Sequence, residues 1–184
     1  KSISELKQAR EEISDLIGTY KQGKISREGA SVALVGKPNV GKSSLLNALL
    51  QEDRAIVTPH PGTTRDTLEE KVRIKDTHIN IIDSAGLRKD PEIIEQEGIR
   101  RTRSAIDNAD LTLVIFDRSQ PLDENDDLIC KEIHDKSTLV VINKCDLPEQ
   151  WPIENLNEKI KTDTLIIVSA KEQSGLDSLI DAIY

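Results

Sequence analysis

Aromatic side chains are nearly absent from this 184-residue chain, which carries one Phe (Phe116), one Trp (Trp151) and two Tyr (Tyr20, Tyr184). A core must therefore be aliphatic, and the 36 % hydrophobic content is low but sufficient for one globular domain. Long apolar runs are missing too. Nothing approaches the roughly 18 residues that span a bilayer, and no basic-then-apolar leader opens the chain, so membrane and secreted classes are excluded on this reading. Cysteine is scarce: Cys130 and Cys145 are the two. They fit neither a disulfide framework nor a zinc ribbon, and such poverty suits a reducing cytoplasm. Positive charge is not in excess either. A net charge of −8 argues against a broad nucleic-acid footprint, so a bound polyanion needs a local basic cradle. The first residue is Lys rather than Met, which leads us to expect an excised piece of a longer protein.

What is present is an alternation of two periodicities. Ile3, Leu6, Ile13, Leu16, Ile17 and Tyr20 recur at helical spacing, predicting an amphipathic helix up to about Gly23 whose apolar stripe needs a partner. Short β-branched runs follow at residues 32–35, 72–74, 79–82, 111–116, 139–142 and 165–168. Helical patterns at 43–50, 98–108, 124–135, 153–161 and 176–183 lie between and after them. This predicts an α/β fold with a six-stranded, mostly parallel sheet and helices on both faces. The runs at 72–74 and 79–82 are too close for a helix to intervene, so one hairpin strand should be antiparallel.

The first buried-looking strand runs into Gly36-Lys-Pro-Asn39-Val40-Gly41-Lys42-Ser43-Ser44 and then into a helical pattern, which is GxxxxGK[ST] in its strand-loop-helix context. Its glycines let backbone N–H groups converge on phosphate oxygens, the helix N-terminus adds its dipole, Lys42 reaches the terminal phosphates and the Ser43 hydroxyl suits Mg²⁺. A bare glycine-rich turn would match by chance in on the order of one chain in a hundred. Asp83-Ser84-Ala85-Gly86 ends the hairpin, where a carboxylate can hold Mg²⁺ through water. Asn143-Lys144-Cys145-Asp146 reads NKxD. A carboxylate at Asp146 accepts from both N1–H and the 2-amino group of guanine, whereas adenine offers neither. Such a site rejects the wrong base by roughly 10⁴ or more. Ser169-Ala170-Lys171 offers a backbone N–H for guanine O6. The Pro/Gly/Thr-rich segment 51–66 is a candidate functional loop without secondary structure, one of whose threonines can join Mg²⁺. Arg65 within it could be mistaken for an arginine finger, but reads as a helper of strand pairing or a surface charge. His60, His78 and His134 share no metal-ligand spacing, Cys130 reads as a small buried apolar group, and Trp151 as the start of a helix.

In this order GKPNVGKS, PGTTRD, DSAGLR, NKCD and SAK resemble the P-loop G domains of the Era and MnmE (TrmE) branch of GTPases, over residues 31–184. The lead-in TYKQGKISREG and the segment from Ala85 to Ile99 favour the MnmE family over Era or Der types, which would bring an RNA-binding module or a second G domain. The resemblance implies a Ras-like G domain at 29–184, preceded at 1–28 by a helical stub of an adjoining domain. It implies GTP and GDP as ligands and Mg²⁺ on Ser43, Thr64 and Asp83. A stimulatory K⁺ on Asn39 and the loop 58–63, with Thr58, His60 and Thr63, is implied likewise. It further implies GTP-dependent self-association, and a MnmG-like partner and wobble-uridine tRNA acting through the full-length parent. The family's folate-binding domain and CxGK motif lie outside this sequence, so this piece is expected to hydrolyse GTP without modifying tRNA. Where Ras-like proteins carry a water-orienting Gln, this chain has Leu87. Asp90, Glu92, Glu95, Gln96 and Glu97 are all chemically eligible to replace it, and the resemblance selects Glu95. The competing readings are a GTP-binding interaction module with negligible hydrolysis, and a P-loop kinase. NKxD weakens the second.

Overall fold

Residues 3–51, 55–57, 70–75, 77–83, 95–133, 137–157, 159–160 and 164–184 are described by the computed structural model. The predicted apolar runs are its strands: β1 (Ala30–Val35), β3 (Glu70–Ile74), β4 (Thr77–Asp83), β5 (Leu111–Asp117), β6 (Thr138–Asn143) and β7 (Leu165–Ile167). A further strand, β2 (Ala55–Val57), pairs antiparallel with β3 and brings the sheet to seven strands, ordered β2-β3-β4-β1-β5-β6-β7. The count of six falls one short because β2 lies inside the segment 51–66 read as lacking secondary structure. A three-residue Ala-Ile-Val run is too short to show alternation, and it obtains its ladder from the open edge of β3. β4, β1, β5, β6 and β7 run parallel, and β3 opposes β4 through a hairpin turned at Lys75 (φ 51°).

The helices are α1 (Ile3–Glu28), α2 (Lys42–Gln51), α3 (Glu95–Asn108), α4 (Glu124–Glu132), α5 (Glu154–Asn157) and α6 (Leu176–Ile183). Alternate residues of each central strand feed opposite faces. Val32, Leu34, Leu113 and Val141 pack with Leu45, Leu46 and Leu49 of α2 and Leu176, Leu179 and Ile180 of α6. Ala33, Val35, Val114 and Val140 pack with Ala105 and Ile106 of α3, Cys130 of α4, Trp151 and Leu156. Truncating a fully buried leucine such as Leu45 to Ala should cost about 2–5 kcal/mol. The scarce aromatics work hard: Phe116 is wholly buried, and Trp151 closes the second face while its Nε1 donates to the Asp117 carbonyl at 3.0 Å.

Three helices differ from their periodicity. α1 runs past Gly23 to Glu28, where Asn80 Nδ2 donates to the Glu28 carbonyl at 3.0 Å. Its Ile3, Leu6, Ile13 and Tyr20 remain exposed. α5 makes one turn within the span 153–161. α4 ends at Glu132 instead of 135, because its cap residue Ile133 is extended (ψ 93°). At the other end of α4, Asp123 Oδ1 accepts from the N–H groups of Asn125 and Asp126, and Asp126 Oδ2 accepts from the Asp123 N–H. This reciprocal cap satisfies donors that a helix start leaves orphaned. No described helix is long and apolar enough to cross a membrane.

Candidate nucleotide site

The C-terminal ends of β1, β6 and β7 lie along one sheet edge, where open α/β folds bind ligands. The loop leaving β1 turns through Asn39 (φ 66°) and Gly41 (φ 99°), a left-handed conformation that Asn and Gly tolerate. A Cβ on Gly36 would sit 2.5 Å from the Ile115 carbonyl oxygen, and one on Gly41 would run into Asn143 Nδ2. Packing therefore demands glycine at Gly36, and packing and torsion together demand it at Gly41. Lys42 is buried, its Nζ donating to the carbonyls of Gly36 (2.6 Å) and Lys37 (2.8 Å), so its ammonium lies back across the loop. Ser43 and Ser44 follow in the first turn of α2.

Asn143, 2 % exposed, joins this loop to the next. Its Nδ2 donates to the Val40 carbonyl at 2.9 Å and its Oδ1 accepts from the Ala170 N–H at 3.1 Å. With both amide ends engaged, its contribution is to hold the two loops in register. Asp146 Oδ1 accepts from Ser169 Oγ at 2.6 Å, Ser169 Oγ accepts from the Glu172 N–H at 3.1 Å, and Lys171 Nζ stands 3.9 Å from Asp146 Oδ2. The Ser169 hydroxyl above all keeps the Asp146 carboxyl below its ordinary pKa, so it is an acceptor-only anion at neutral pH. That is the state a guanine edge with two donors requires.

Lys144, at φ 64°, reaches Asp117 Oδ2 with its Nζ at 2.6 Å, while Asp117 Oδ1 accepts from the N–H (2.8 Å) and Oγ (2.6 Å) of Ser119. Burial pushes the Asp117 carboxyl up, but the bonds from Lys144 and Ser119 outweigh it and its pKa lies below the usual value. Sequence reasoning passed over Asp117 and Ser119. The available signal was an acidic residue ending an apolar run, the same cue that singles out Asp83.

Asp83 is the last residue of β4, in register with Leu34 of β1, so its backbone ends beside the start of the phosphate-type loop. The Ser43 hydroxyl is a hard oxygen of the kind Mg²⁺ prefers, while the Asp83 side chain lies outside the described part of the structure. Glu95 is the first residue of α3. Thr58, His60, Thr63, Thr64, Arg65, Gly86, Leu87 and the carboxylates Asp90 and Glu92 lie outside the described residues. Among the described residues no group of three or more His, Cys, Asp or Glu could hold a metal. Cys130 is buried with its thiol pushed up to about 11, which makes it unreactive, and Cys145 is tied by its N–H to the Val168 carbonyl.

Comparison with known proteins agrees with this geometry. The family model described as 50S ribosome-binding GTPase matches residues 31–144. The tRNA modification GTPase MnmE of Natranaerobius thermophilus is 46 % identical over 171 residues, 93 % of this chain but 37 % of that protein. The chain thus spans under two fifths of that relative's length. Among solved structures, an Era variant from Aquifex aeolicus bound to GDP.AlF4- is 28 % identical with a TM-score of 0.62, covering 84 % of this chain and 55 % of that one. Era in complex with MgGDPNP and nucleotides of 16S ribosomal RNA is 28 % identical with a TM-score of 0.63 over the same shares. With a phosphate-type loop, an anionic carboxylate at Asp146 and these similarities together, the chain belongs to the 50S ribosome-binding GTPase family and is a GTP-hydrolysing G domain similar to MnmE.

Proposed function

We propose that this chain is the K⁺-stimulated, Mg²⁺-dependent G domain of a tRNA wobble-uridine modification GTPase. The observation that carries the reading is the Asn143 amide, which joins the Val40 and Ala170 loops so that a phosphate cradle and a guanine reader form one site. Gly36, Asn39, Val40, Gly41, Lys42, Ser43 and Ser44 take the phosphates, and Asn143, Lys144, Asp146, Ser169, Ala170 and Lys171 take the base. Ser43, Thr64 and Asp83 are the proposed Mg²⁺ residues, and Asn39, Thr58, His60 and Thr63 the K⁺ residues. Bound, the two cations supply positive charge against oxygens that gain negative charge as the β–γ bond breaks.

The chain's own groups do the rest. Lys42 neutralises charge on the β- and γ-phosphates, and Gly86 lets the backbone approach the γ-phosphate. Glu95 orients the attacking water through a second water, since a carboxylate set directly against the phosphate would be repelled. Water adds to the γ-phosphorus, its proton leaves with the phosphate product, and GDP departs with the bridging oxygen.

We further propose that residues 1–28 are a stub of an adjoining helical domain, a reading supported by the exposed Ile3, Leu6, Ile13 and Tyr20. The G domain 29–184 self-associates when GTP is bound, and a MnmG-like partner and tRNA engage the full-length cytoplasmic parent, with no direct nucleic-acid footprint on this piece. Hydrolysis followed in KCl and in NaCl, with and without Mg²⁺, tests the reading. Equal turnover in the two salts removes K⁺, and no turnover in any of them leaves a GTP-binding module.

A further inference from the structure

The phosphate-type loop holds two lysines, and they point to different tasks. Lys42 Nζ folds back on the loop's own carbonyls. Lys37 Nζ leaves the loop and ends between two carboxylates at the start of α4, 2.9 Å from Oδ2 of the cap residue Asp123 and 2.7 Å from Asp126 Oδ2. Lys37 occupies a variable position of GxxxxGK[ST], so the motif assigns it nothing. Yet its side chain is only 15 % exposed and that of Asp126 3 %. The same two carboxylates form the reciprocal cap of α4, so the helix start is itself fixed. Burial alone would lower the Lys37 ammonium pKa, but bonds to Asp126 and Asp123 outweigh it, and the group stays charged.

We propose that Lys37 is a positioning residue for nucleotide binding: by anchoring to Asp123 and Asp126 at the start of α4, it preorganises the phosphate loop from the side opposite Asn143. The path is short. Pro38 fixes φ next to Lys37, Asn39 is held left-handed, and Val40 is tied by its carbonyl to Asn143. The loop's backbone N–H groups are thus pinned at both ends, and ordering them in advance lowers the cost of binding phosphate. The proposal rests on the phosphate-loop reading above.

A direct phosphate contact by Lys37 is the rival, and the two predict opposite signs. If Lys37 met phosphate itself, removing its acidic partners would free it and tighten binding. If it anchors the loop, removing either side loosens binding. The test is the release rate of fluorescent GDP from the 184-residue chain, with melting temperature recorded alongside. Lys37→Met, which keeps the aliphatic stem, and Asp126→Asn should each speed release about tenfold. The pair combined should do no more than Lys37→Met alone, since that variant already removes the contact with Asp126. Asp123→Asn should speed release less, and it folds safely because Asn caps a helix as well as Asp does. Lys37→Arg should restore release to within about twofold of the parent. Slower release in Asp123→Asn or Asp126→Asn, or parental release in Lys37→Met whatever its melting temperature, overturns the proposal. Lys42→Ala run in parallel separates the readings: if it binds GDP as tightly as the parent, the phosphate-loop assignment itself is wrong.

Discussion

Replacing Asn143 with Ala tests how far one buried amide holds the site together. Asn143 is 2 % exposed and both ends of its side chain are engaged, Nδ2 to the Val40 carbonyl and Oδ1 to the Ala170 N–H. Alanine removes both partners and leaves two backbone groups facing a space with no polar atom of its own. Each such orphan costs about 1–3 kcal/mol, so the nucleotide-free protein should lose about 2–6 kcal/mol, the low side applying if water enters. The same change releases the phosphate loop from the base loop, so GDP affinity should fall in parallel. Asn143→Asp is the sharper control. It can still accept from Ala170, but its second oxygen confronts the Val40 carbonyl, so it should be no more stable than the alanine variant. Urea unfolding read by Trp151 fluorescence, together with GDP titration, measures both effects. A loss below about 0.5 kcal/mol with parental GDP affinity would show that the amide is incidental.

Further outcomes follow from individual groups. Asp146→Asn should weaken GTP and improve xanthosine triphosphate, because an amide donates to the 2-oxo group where a carboxylate only accepts; an unchanged preference removes Asp146 from the base pocket. Glu95→Ala should leave GTP and GDP affinities near parental while lowering single-turnover hydrolysis in K⁺ by about 10²-fold or more, and Glu92→Ala and Glu97→Ala measured alongside show whether the role belongs to a neighbour. Asn39→Ala should abolish the difference between KCl and NaCl, and retention of full K⁺ stimulation would sink that assignment. The Asp117 carboxyl lies below its ordinary value in the fold, so its stability contribution is present above the unfolded pKa near 3.9 and is lost as pH falls through the folded value. Asp117→Asn should flatten the limb of stability lost on acidification below the unfolded carboxylate pKa, and an undiminished limb assigns it to other carboxylates.

Much of the fold could be read from local pattern, because its signals are local. A parallel sheet covered on both faces needs continuous aliphatic strands, and runs such as 111–116 and 139–142 have no other soluble use. The hairpin was legible from the mere lack of room for a helix between 74 and 79. What escaped was whatever takes its order from a neighbour: β2, which exists as a strand because β3 offers an edge, and α5, whose pattern allowed nine residues while one turn formed. The phosphate and base motifs were legible for a related reason. Their spacing is set by a ligand's size, which is the same in every chain that binds it.

The braces between those motifs were not legible, and their sequence separations say why. Lys37 meets Asp123 across 86 positions, Asn143 meets Val40 across 103, and Lys144 meets Asp117 across 27. No fixed interval links such partners, since loops of any length can intervene at little entropic cost. Motif residues that read as ligand-binding groups also turn out to be structural. Asn143 spends its amide on two loops, and Lys144 spends its charge on Asp117, leaving its aliphatic stem as the part available to line a base slot. A lysine whose head group is fixed presents that stem in one conformation instead of many, which removes an ordering cost from base binding. On the proposed reading, the specificity of Asp146 therefore depends on residues that never touch the base. Loss of Asp117 should relax nucleotide affinity even though no guanine donor or acceptor has changed.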